Sequence, residues 1–367
     1  MLHESEAFLS EQLITCIGNK RSLLPFIATP LEIVKRRLGR GKIKIFDAFS
    51  GSGVAARYFK AYAELLIVND LEAYSETISR CYLANTVELP LEELRNIHGL
   101  LLRRLGEEPL RKGFITELYA PVDEDNIRTG ERVFYTPRNA MFIDTARQYI
   151  EEVDSGLRQF FIAPLLSESS VHANTAGVFK GFYKDRYTGK GHFGGTGRDA
   201  LSRIKGDIGL PFPVWSSFNC PVKIFRADTN KLISDLEEVD LAYLDPPYNQ
   251  HPYGSNYFML NLILSYERPK AVSPVSGIPR DWNRSDYNNR QKAIRAFREL
   301  AENIKSKFLL VSFNSEGFLS PGEMLPILEK TGKVEVFDTP YNTFRGSRNL
   351  SKRQTHVREY LYLVEKD

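Results

Sequence analysis

Residues 43–59, IKIFDAFSGSGVAARYF, decide the fold, because a short apolar run leads through a glycine-rich turn into a helical pattern. A second apolar run, LLIVN, follows at 65–69. Two parallel strands need a crossover connection between them, and a helix usually provides it. We therefore predict that residues 43–69 form a βαβ unit, the start of an α/β sheet.

The alternation of strand and helix patterns resumes after residue 220. Three more strands are predicted there beside helical sequence, and the chain closes with two strands that have no helix between them. We expect an open, mostly parallel sheet covered by helices, with an antiparallel terminal hairpin at the sheet edge. The later strands are VKIFRAD (222–228), VDLAYLD (239–245), KFLLVSFNS (307–315), KVEVFDTP (333–340) and VREYLYLVEK (357–366).

Residues 106–220 interrupt this alternation and are predicted to form an insert. They contain helical patterns at 143–153 and 157–170, and then a glycine-rich and aromatic-rich stretch at 174–201 that has no period. The predicted organisation is a sheet domain made of residues 1–105 and 221–367, with residues 106–220 as a second unit.

The composition is that of an ordinary globular protein, with 42% hydrophobic and 26% charged residues. The net charge is only +3, so any attraction to nucleic acid must come from local clusters. Cys16, Cys81 and Cys220 are far apart, which disfavours both a disulfide framework and a cysteine-rich zinc site. No apolar run is long enough to span a membrane, and the polar N-terminus is unlike a signal peptide. We expect a cytoplasmic protein without a membrane partner.

The glycine turn after the first strand is a candidate ligand site. Gly51 and Gly53 let the backbone approach a ligand, and the helix that follows points its amide groups at that ligand. Asp70 ends the second strand and can accept hydrogen bonds from ribose hydroxyls. The alternatives are a turn that needs glycine for its geometry alone, and an aspartate that caps the next helix. The glycine pattern of this turn is neither GxGxxG nor a Walker loop, which disfavours hydride transfer and nucleotide hydrolysis.

The tetrapeptide Asp245-Pro246-Pro247-Tyr248 follows a strand directly. Consecutive prolines there are costly unless the shape of the turn matters. The Asp245 carboxylate and the Pro246 carbonyl can present two acceptors to one NH2 group, and Tyr248 offers a flat face for stacking. This pattern indicates a site for a planar amine such as the exocyclic amine of a base, against the alternative of a merely rigid loop.

The combination of DAFSGSG (47–53) with DPPY (245–248) resembles the S-adenosylmethionine-dependent DNA adenine-N6 methyltransferases of the D12 or alpha class, the Dam-like enzymes of restriction-modification type. CIGNKRSLLPFI (16–27) is similar to the family's first cofactor motif, and SFNSEG (312–317) and YNTFRGSRN (341–349) are similar to later motifs. The resemblance implies a Rossmann-like class I methyltransferase sheet, with residues 106–220 as the target-recognition insert.

The resemblance also implies roles for single residues. Lys20 would lie near the methionine carboxylate of the cofactor, Asp70 would bind its ribose, and Asp228 would contact its adenine. The catalytic residues would be Asp245, Pro246, Pro247 and Tyr248, acting on an adenine that is flipped out of double-stranded DNA. The methionine moiety would be wrapped by the motif that contains Asp47, Phe49, Gly51 and Gly53.

Two basic runs are candidate DNA contacts, although a solvated loop is the usual alternative for such runs. The first interleaves Lys180, Lys184, Arg186, Lys190 and Arg198 with aromatic residues, and the second contains Arg345 and Arg348. The polar insert residues Arg138, Asn139 and Asn174 are candidate base readers.

We expect no metal, because the histidines lack a metal-ligand spacing. A cognate endonuclease acting separately is an expected partner. The competing hypotheses are a methyltransferase for RNA or another amine, and an inactive DNA-binding regulator on the same fold.

Overall fold

The computed structural model describes residues 4–16, 18, 20–195, 200–247, 250–315, 317–342 and 356–367. Seven strands form one sheet in the order β3-β2-β1-β4-β5-β7-β6. Neighbouring strands among the first five are parallel, and β7 runs antiparallel to both of its neighbours. The strands are β1 Ile43–Asp47, β2 Ala63–Asp70, β3 Val222–Arg226, β4 Val239–Leu244, β5 Ser306–Asn314, β6 Gly332–Asn342 and β7 His356–Lys366.

This arrangement confirms the predicted α/β fold and the Rossmann-like methyltransferase sheet. The βαβ unit at 43–69 is present, with β1 parallel to β2. The terminal hairpin is also present, but the last strand enters between β5 and β6, so β6 forms the sheet edge. Central strands such as β4 are buried along their whole length, as expected of parallel strands covered on both faces.

Helices surround the sheet and build the insert. The longer ones are α2 Leu24–Leu38, α3 Val54–Lys60, α4 Ala73–Tyr82, α5 Leu91–Glu107, α7 Pro137–Glu151, α8 Gln159–Val171, α12 Phe258–Ser265, α13 Arg290–Asn303 and α14 Pro321–Leu328. The short ones are α1 Glu6–Ser10, α6 Phe114–Tyr119, α9 Leu201–Lys205, α10 Thr229–Leu232 and α11 Tyr253–Asn256, with single turns of 3-10 helix at Arg21–Leu23, Thr86–Glu88 and Asp286–Asn288. Among the residues that the structure describes, no helix is long and apolar enough to cross a membrane.

Three apolar cores hold these elements together. Helices α2 and α3 pack on one face of the sheet, and α10, α13 and α14 pack on the other. The third core joins α4 to α8 with α12, so the insert packs on helices that belong to the sheet domain. The division of the chain at residues 106 and 220 stays a prediction.

Candidate active site

The glycine turn after β1 is held in place by Asp70. Gly51 and Gly53 have φ values of +54° and +79°, in the left-handed region that favours glycine. The backbone amides of Gly51 and Glu72 donate to the two carboxylate oxygens of Asp70, at 2.8 and 2.9 Å. Asp70 therefore ties the turn to the end of β2. Its role toward ribose stays a prediction.

Asn69, which precedes Asp70, joins the ends of three strands. Its fully buried side chain donates to the carbonyls of Ala48 and Ala227 at 3.3 and 3.1 Å, and to the Thr229 hydroxyl at 2.9 Å. These partners follow β1 and β3, so one amide fixes the connections that surround the turn. In the sequence, the position of Asn69 beside Asp70 was the one sign that it belongs to the site.

A cavity of about 960 Å³, its open mouth included, lies at the carboxyl ends of these strands. Ligands of open α/β sheets bind at this edge. Five of the predicted cofactor residues line the cavity, as do two residues of the DPPY motif: Lys20, Phe49, Gly51, Asp70, Asp228, Asp245 and Pro247. The cavity thus joins the glycine turn to the DPPY motif.

The remaining predicted site residues lie elsewhere. Gly53 precedes α3, where its amide donates to the Ser50 carbonyl at 2.8 Å. Asp47 is fully buried at the end of β1, and burial, together with the charges of Asp245 and Asp70, raises the pKa of its carboxyl to about 8. Neither residue is among those that line the cavity. Pro246 is buried next to Asp245, and Tyr248 lies outside the described residues.

Asp245 is part of a buried group of charges. The Lys20 ammonium lies 3.3 Å from the Asp245 carboxylate and 3.5 Å from the carboxylate of Glu359, which lies on β7. Burial raises the pKa of Asp245 to about 6, with Lys20 lowering it and Glu359 raising it. Burial opposes the positive charge of Lys20, but the two carboxylates outweigh this effect and raise its pKa. No sequence motif indicated Glu359.

A loop before α13 supplies cavity residues that the sequence did not reveal. The Tyr287 ring packs edge-on against Phe49, with ring centroids 5.2 Å apart. The side-chain amides of Asn261 and Asn283 donate to the Glu72 carboxylate at 2.7 and 3.3 Å, and burial raises the pKa of Glu72 to about 7. Tyr287, Asn283 and Glu72 all line the cavity. The loop has neither a hydrophobic periodicity nor a known motif, so its place in the cavity could not be predicted from the sequence.

The first basic run forms a turn, and the residue before the run is bonded to α11. A bridge joins Lys184 to Gly191, and the Asp185 carboxylate accepts hydrogen bonds from backbone amides inside the turn. The Phe179 amide donates to the Asn256 carbonyl of α11 at 2.7 Å, which fixes the run beside the segment that follows the motif. Lys180, Arg186 and Lys190 are exposed, whereas Lys184 is half-buried with its ammonium over the Phe182 ring.

The other predicted DNA contacts have different outcomes. Arg198, Arg345 and Arg348 lie outside the described residues. The prediction that Asn139 and Asn174 could read bases is wrong, because both are buried and bonded inside the insert. Asn139 bonds the backbone of Gly206 and Ile208, and Asn174 bonds the backbone of Val133, His192 and Gly194. Arg138 remains exposed, paired with Asp207 at 2.6 Å.

The sheet order, with its antiparallel last strand, is consistent with a Rossmann-like methyltransferase fold. Residues 17–314 match the family described as D12 class N6 adenine-specific DNA methyltransferase. The chain belongs to this family.

Several curated proteins are similar to this chain along most of its length. It is 30% identical over 361 residues to the type II methyltransferase M.NlaIII of Neisseria lactamica, covering 95% of this chain and 98% of that protein. It is also 30% identical over 354 residues to the type II methyltransferase M.CviAII of Paramecium bursaria Chlorella virus 1, covering 95% and 97%. The type II methyltransferase M.FokI of Planomicrobium okeanokoites is 27% identical, but the match covers 52% of that longer protein.

Proposed function

We propose that this chain transfers a methyl group from S-adenosylmethionine to N6 of an adenine that is flipped out of a specific double-stranded DNA sequence. The observation that supports the proposal is the cavity lined by both the glycine turn and Asp245, because a cofactor bound at the turn would lie beside a carboxylate that can accept a base amine. Family membership supports adenine in DNA as the substrate.

The residues of the cavity fit the proposed cofactor. Carboxylates of Asp70 and Glu72 at one wall suit ribose hydroxyls, which donate hydrogen bonds. The ring of Tyr287, which packs edge-on against Phe49, offers apolar surface for the adenine of the cofactor, while Phe49 belongs to the turn proposed to wrap its methionine moiety. Asp228, which also lines the cavity, is proposed to contact the adenine of the cofactor, because a carboxylate can accept hydrogen bonds from its amino group.

Asp245 and Pro246 would act on the target adenine. The N6 lone pair is delocalised into the ring, which makes the amine a poor nucleophile. When the Asp245 carboxylate and the Pro246 carbonyl accept its two N–H groups, electron density is retained on nitrogen and the amine is held in the direction of attack. Bound S-adenosylmethionine supplies the methyl group on a positively charged sulfur. The proton that N6 loses on methylation would pass to the Asp245 carboxylate or to water, and no covalent bond to the protein is needed.

The exposed cations beside the motif would bind the DNA backbone. Lys180, Arg186 and Lys190 extend from the run that is tied to α11, so they can contact phosphates close to the flipped base. Tyr248 would stack on the flipped base and offset part of the cost of unstacking, about a few kcal/mol. Arg198, Arg345 and Arg348 are proposed as further contacts because they belong to the basic runs of the sequence.

A role in restriction-modification is the biological setting we propose. The relatives M.NlaIII and M.CviAII are named type II methyltransferases. A separate endonuclease that cuts the same DNA sequence would then be the functional counterpart of this chain, and methylation would protect the host DNA.

The test is transfer of a labelled methyl group from S-adenosylmethionine to unmethylated duplex DNA, with the product nucleosides separated by mass spectrometry. The expected product is N6-methyladenine in DNA, at one repeated sequence. Label in N4-methylcytosine, in RNA or in protein would overturn the substrate. Cofactor binding without transfer to genomic DNA of mixed sequence would favour the inactive regulator.

A further inference from the structure

Glu359 is a buried carboxylate near the active site to which the mechanism above gives no role. It lies on β7, in register with Asn314 of β5 and Thr339 of β6, and is only 3% exposed. Its side chain reaches Lys20 at 3.5 Å, at the edge of the sheet where Asp245 follows β4. Burying a carboxylate is costly unless it is paired, so this position needs a physical reason.

The geometry provides one, because Lys20 stands between two carboxylates. Its ammonium lies 3.3 Å from Asp245 and 3.5 Å from Glu359, and the exposed fractions of the three side chains are 6%, 17% and 4% for Lys20, Asp245 and Glu359. Charges interact strongly in such a buried place. Without Glu359, the ammonium would attract Asp245 more strongly and draw more electron density away from the oxygens that accept the amine.

We infer that Glu359 is a positioning residue for methyl transfer: its carboxylate shares the Lys20 ammonium, limits the hold of Lys20 on Asp245, and so keeps Asp245 a strong acceptor for the adenine amine. This inference rests on the proposed function, since it assumes that Asp245 is the acceptor. By this inference, a residue of the antiparallel strand β7 takes part in the methyl transfer at the end of β4.

The effect of the Glu359 charge on the pKa of Asp245 can be distinguished from the effects of the other titratable groups nearby. Lys20 and Glu359 are the charged partners, the first lowering and the second raising the pKa of Asp245, which burial raises to about 6. Among the residues that the structure describes, three other titratable groups interact with Asp245, and burial raises the pKa of each so that all are neutral near neutral pH: Asp47 (about 8), Cys16 (about 11) and Tyr243. Removing the charge of Glu359 therefore lowers the pKa of Asp245.

The experiment is the pH profile of kcat/KM for duplex DNA, from about pH 5 to about pH 9, in wild type and Glu359→Gln. Glutamine keeps the shape and can still accept from Lys20, but it carries no charge. The acid limb of the profile should move to lower pH by about half a unit to one unit. The plateau at high pH should fall about threefold to tenfold, because Lys20 then attracts Asp245 more strongly.

Two further variants complete the test. Glu359→Asp withdraws the carboxylate by one methylene, so its acid limb should lie between those of wild type and Glu359→Gln. If Glu359→Gln does not fold, the position of the acid limb of Glu359→Asp relative to wild type tests the inference by itself. Glu365→Gln is the matched control, because Glu365 lies on the same strand, is exposed, and pairs with Arg37 at 2.9 Å. Its profile should equal that of wild type.

A merely structural role for Glu359 would lower the plateau and leave the limb in place. An unmoved limb in folded variants, or a limb moved to higher pH, would overturn the inference while wild-type activity keeps the proposed function intact. Absence of adenine methylation by wild type would instead overturn the proposed function, and the inference with it.

Discussion

Replacing Asp70 with asparagine should loosen the glycine turn and weaken cofactor binding. The Asp70 carboxylate accepts two backbone N–H groups, from Gly51 at 2.8 Å and from Glu72 at 2.9 Å. Asparagine has one acceptor oxygen, so one buried amide would face its NH2 group. Loss of one hydrogen bond to a charged acceptor costs about 2 to 3 kcal/mol. If the turn must be reordered on binding, the dissociation constant of S-adenosylmethionine rises about 30-fold or more.

Calorimetric titration with S-adenosylmethionine measures this effect, and thermal unfolding shows a parallel fall in Tm. The matched control is Asp154→Asn, because the Asp154 carboxylate also accepts a backbone amide, that of Gly156 at 2.8 Å, but in an exposed turn away from the cavity. Its cofactor affinity should equal that of wild type. An Asp70→Asn protein that binds S-adenosylmethionine within about twofold of wild type would show that the turn does not depend on this carboxylate.

The buried carboxylates and the basic run give three more expected outcomes. Because the pKa of Asp245 is about 6 and its ionised form accepts the amine, kcat/KM should fall as the pH drops through about 6; a profile that is flat to pH 5 would contradict this. The pKa of Asp47 is about 8 in the folded protein, against an ordinary value of 3.8 in the unfolded chain. The contribution of Asp47 to folding stability is therefore fully present below pH 3.8 and is lost as the pH rises to about 8. Asp47→Asn should therefore gain up to about 4 kcal/mol relative to wild type between pH 5 and pH 8, measured by denaturant unfolding; a difference independent of pH would contradict it. Arg186→Ala and Lys190→Ala should each reduce the slope of log affinity against log salt by about 0.9 in DNA-binding titrations, and an unchanged slope would exclude a phosphate contact.

The sequence was sufficient to predict the sheet and the two motifs of the site. The apolar run at 43–47, the glycine turn and the run at 65–69 are local patterns, and local hydrophobic periodicity is what secondary structure follows. Asp245 and Pro247 could be placed beside the turn because the carboxyl ends of parallel strands meet at one edge of a sheet. The structure bears out this meeting point, since both residues line the same cavity as Gly51.

Contacts between distant parts of the chain could not be predicted in the same way. Glu359 is a polar residue at one position of a strand pattern, and nothing local shows that it faces Lys20, which lies more than three hundred residues earlier. Asn139 and Asn174 look like surface base readers in the sequence, but tertiary packing buries both and uses their amides to bond backbone groups. Burial and long-range pairing depend on the whole fold, which a local pattern does not contain.

Asp245→Asn is the decisive variant for the proposed mechanism, with single-turnover methyl transfer to duplex DNA as the measurement. Asparagine keeps the shape but presents an NH2 group or a weaker acceptor to the adenine amine. We expect S-adenosylmethionine to bind within a few-fold of wild type and the transfer rate to fall by roughly 100-fold to 1,000-fold, as for loss of other preorganised groups. The exposed Asp235→Asn should transfer at the wild-type rate. N6-methyladenine formed by Asp245→Asn at a rate near that of wild type would contradict the assignment of Asp245 as the acceptor.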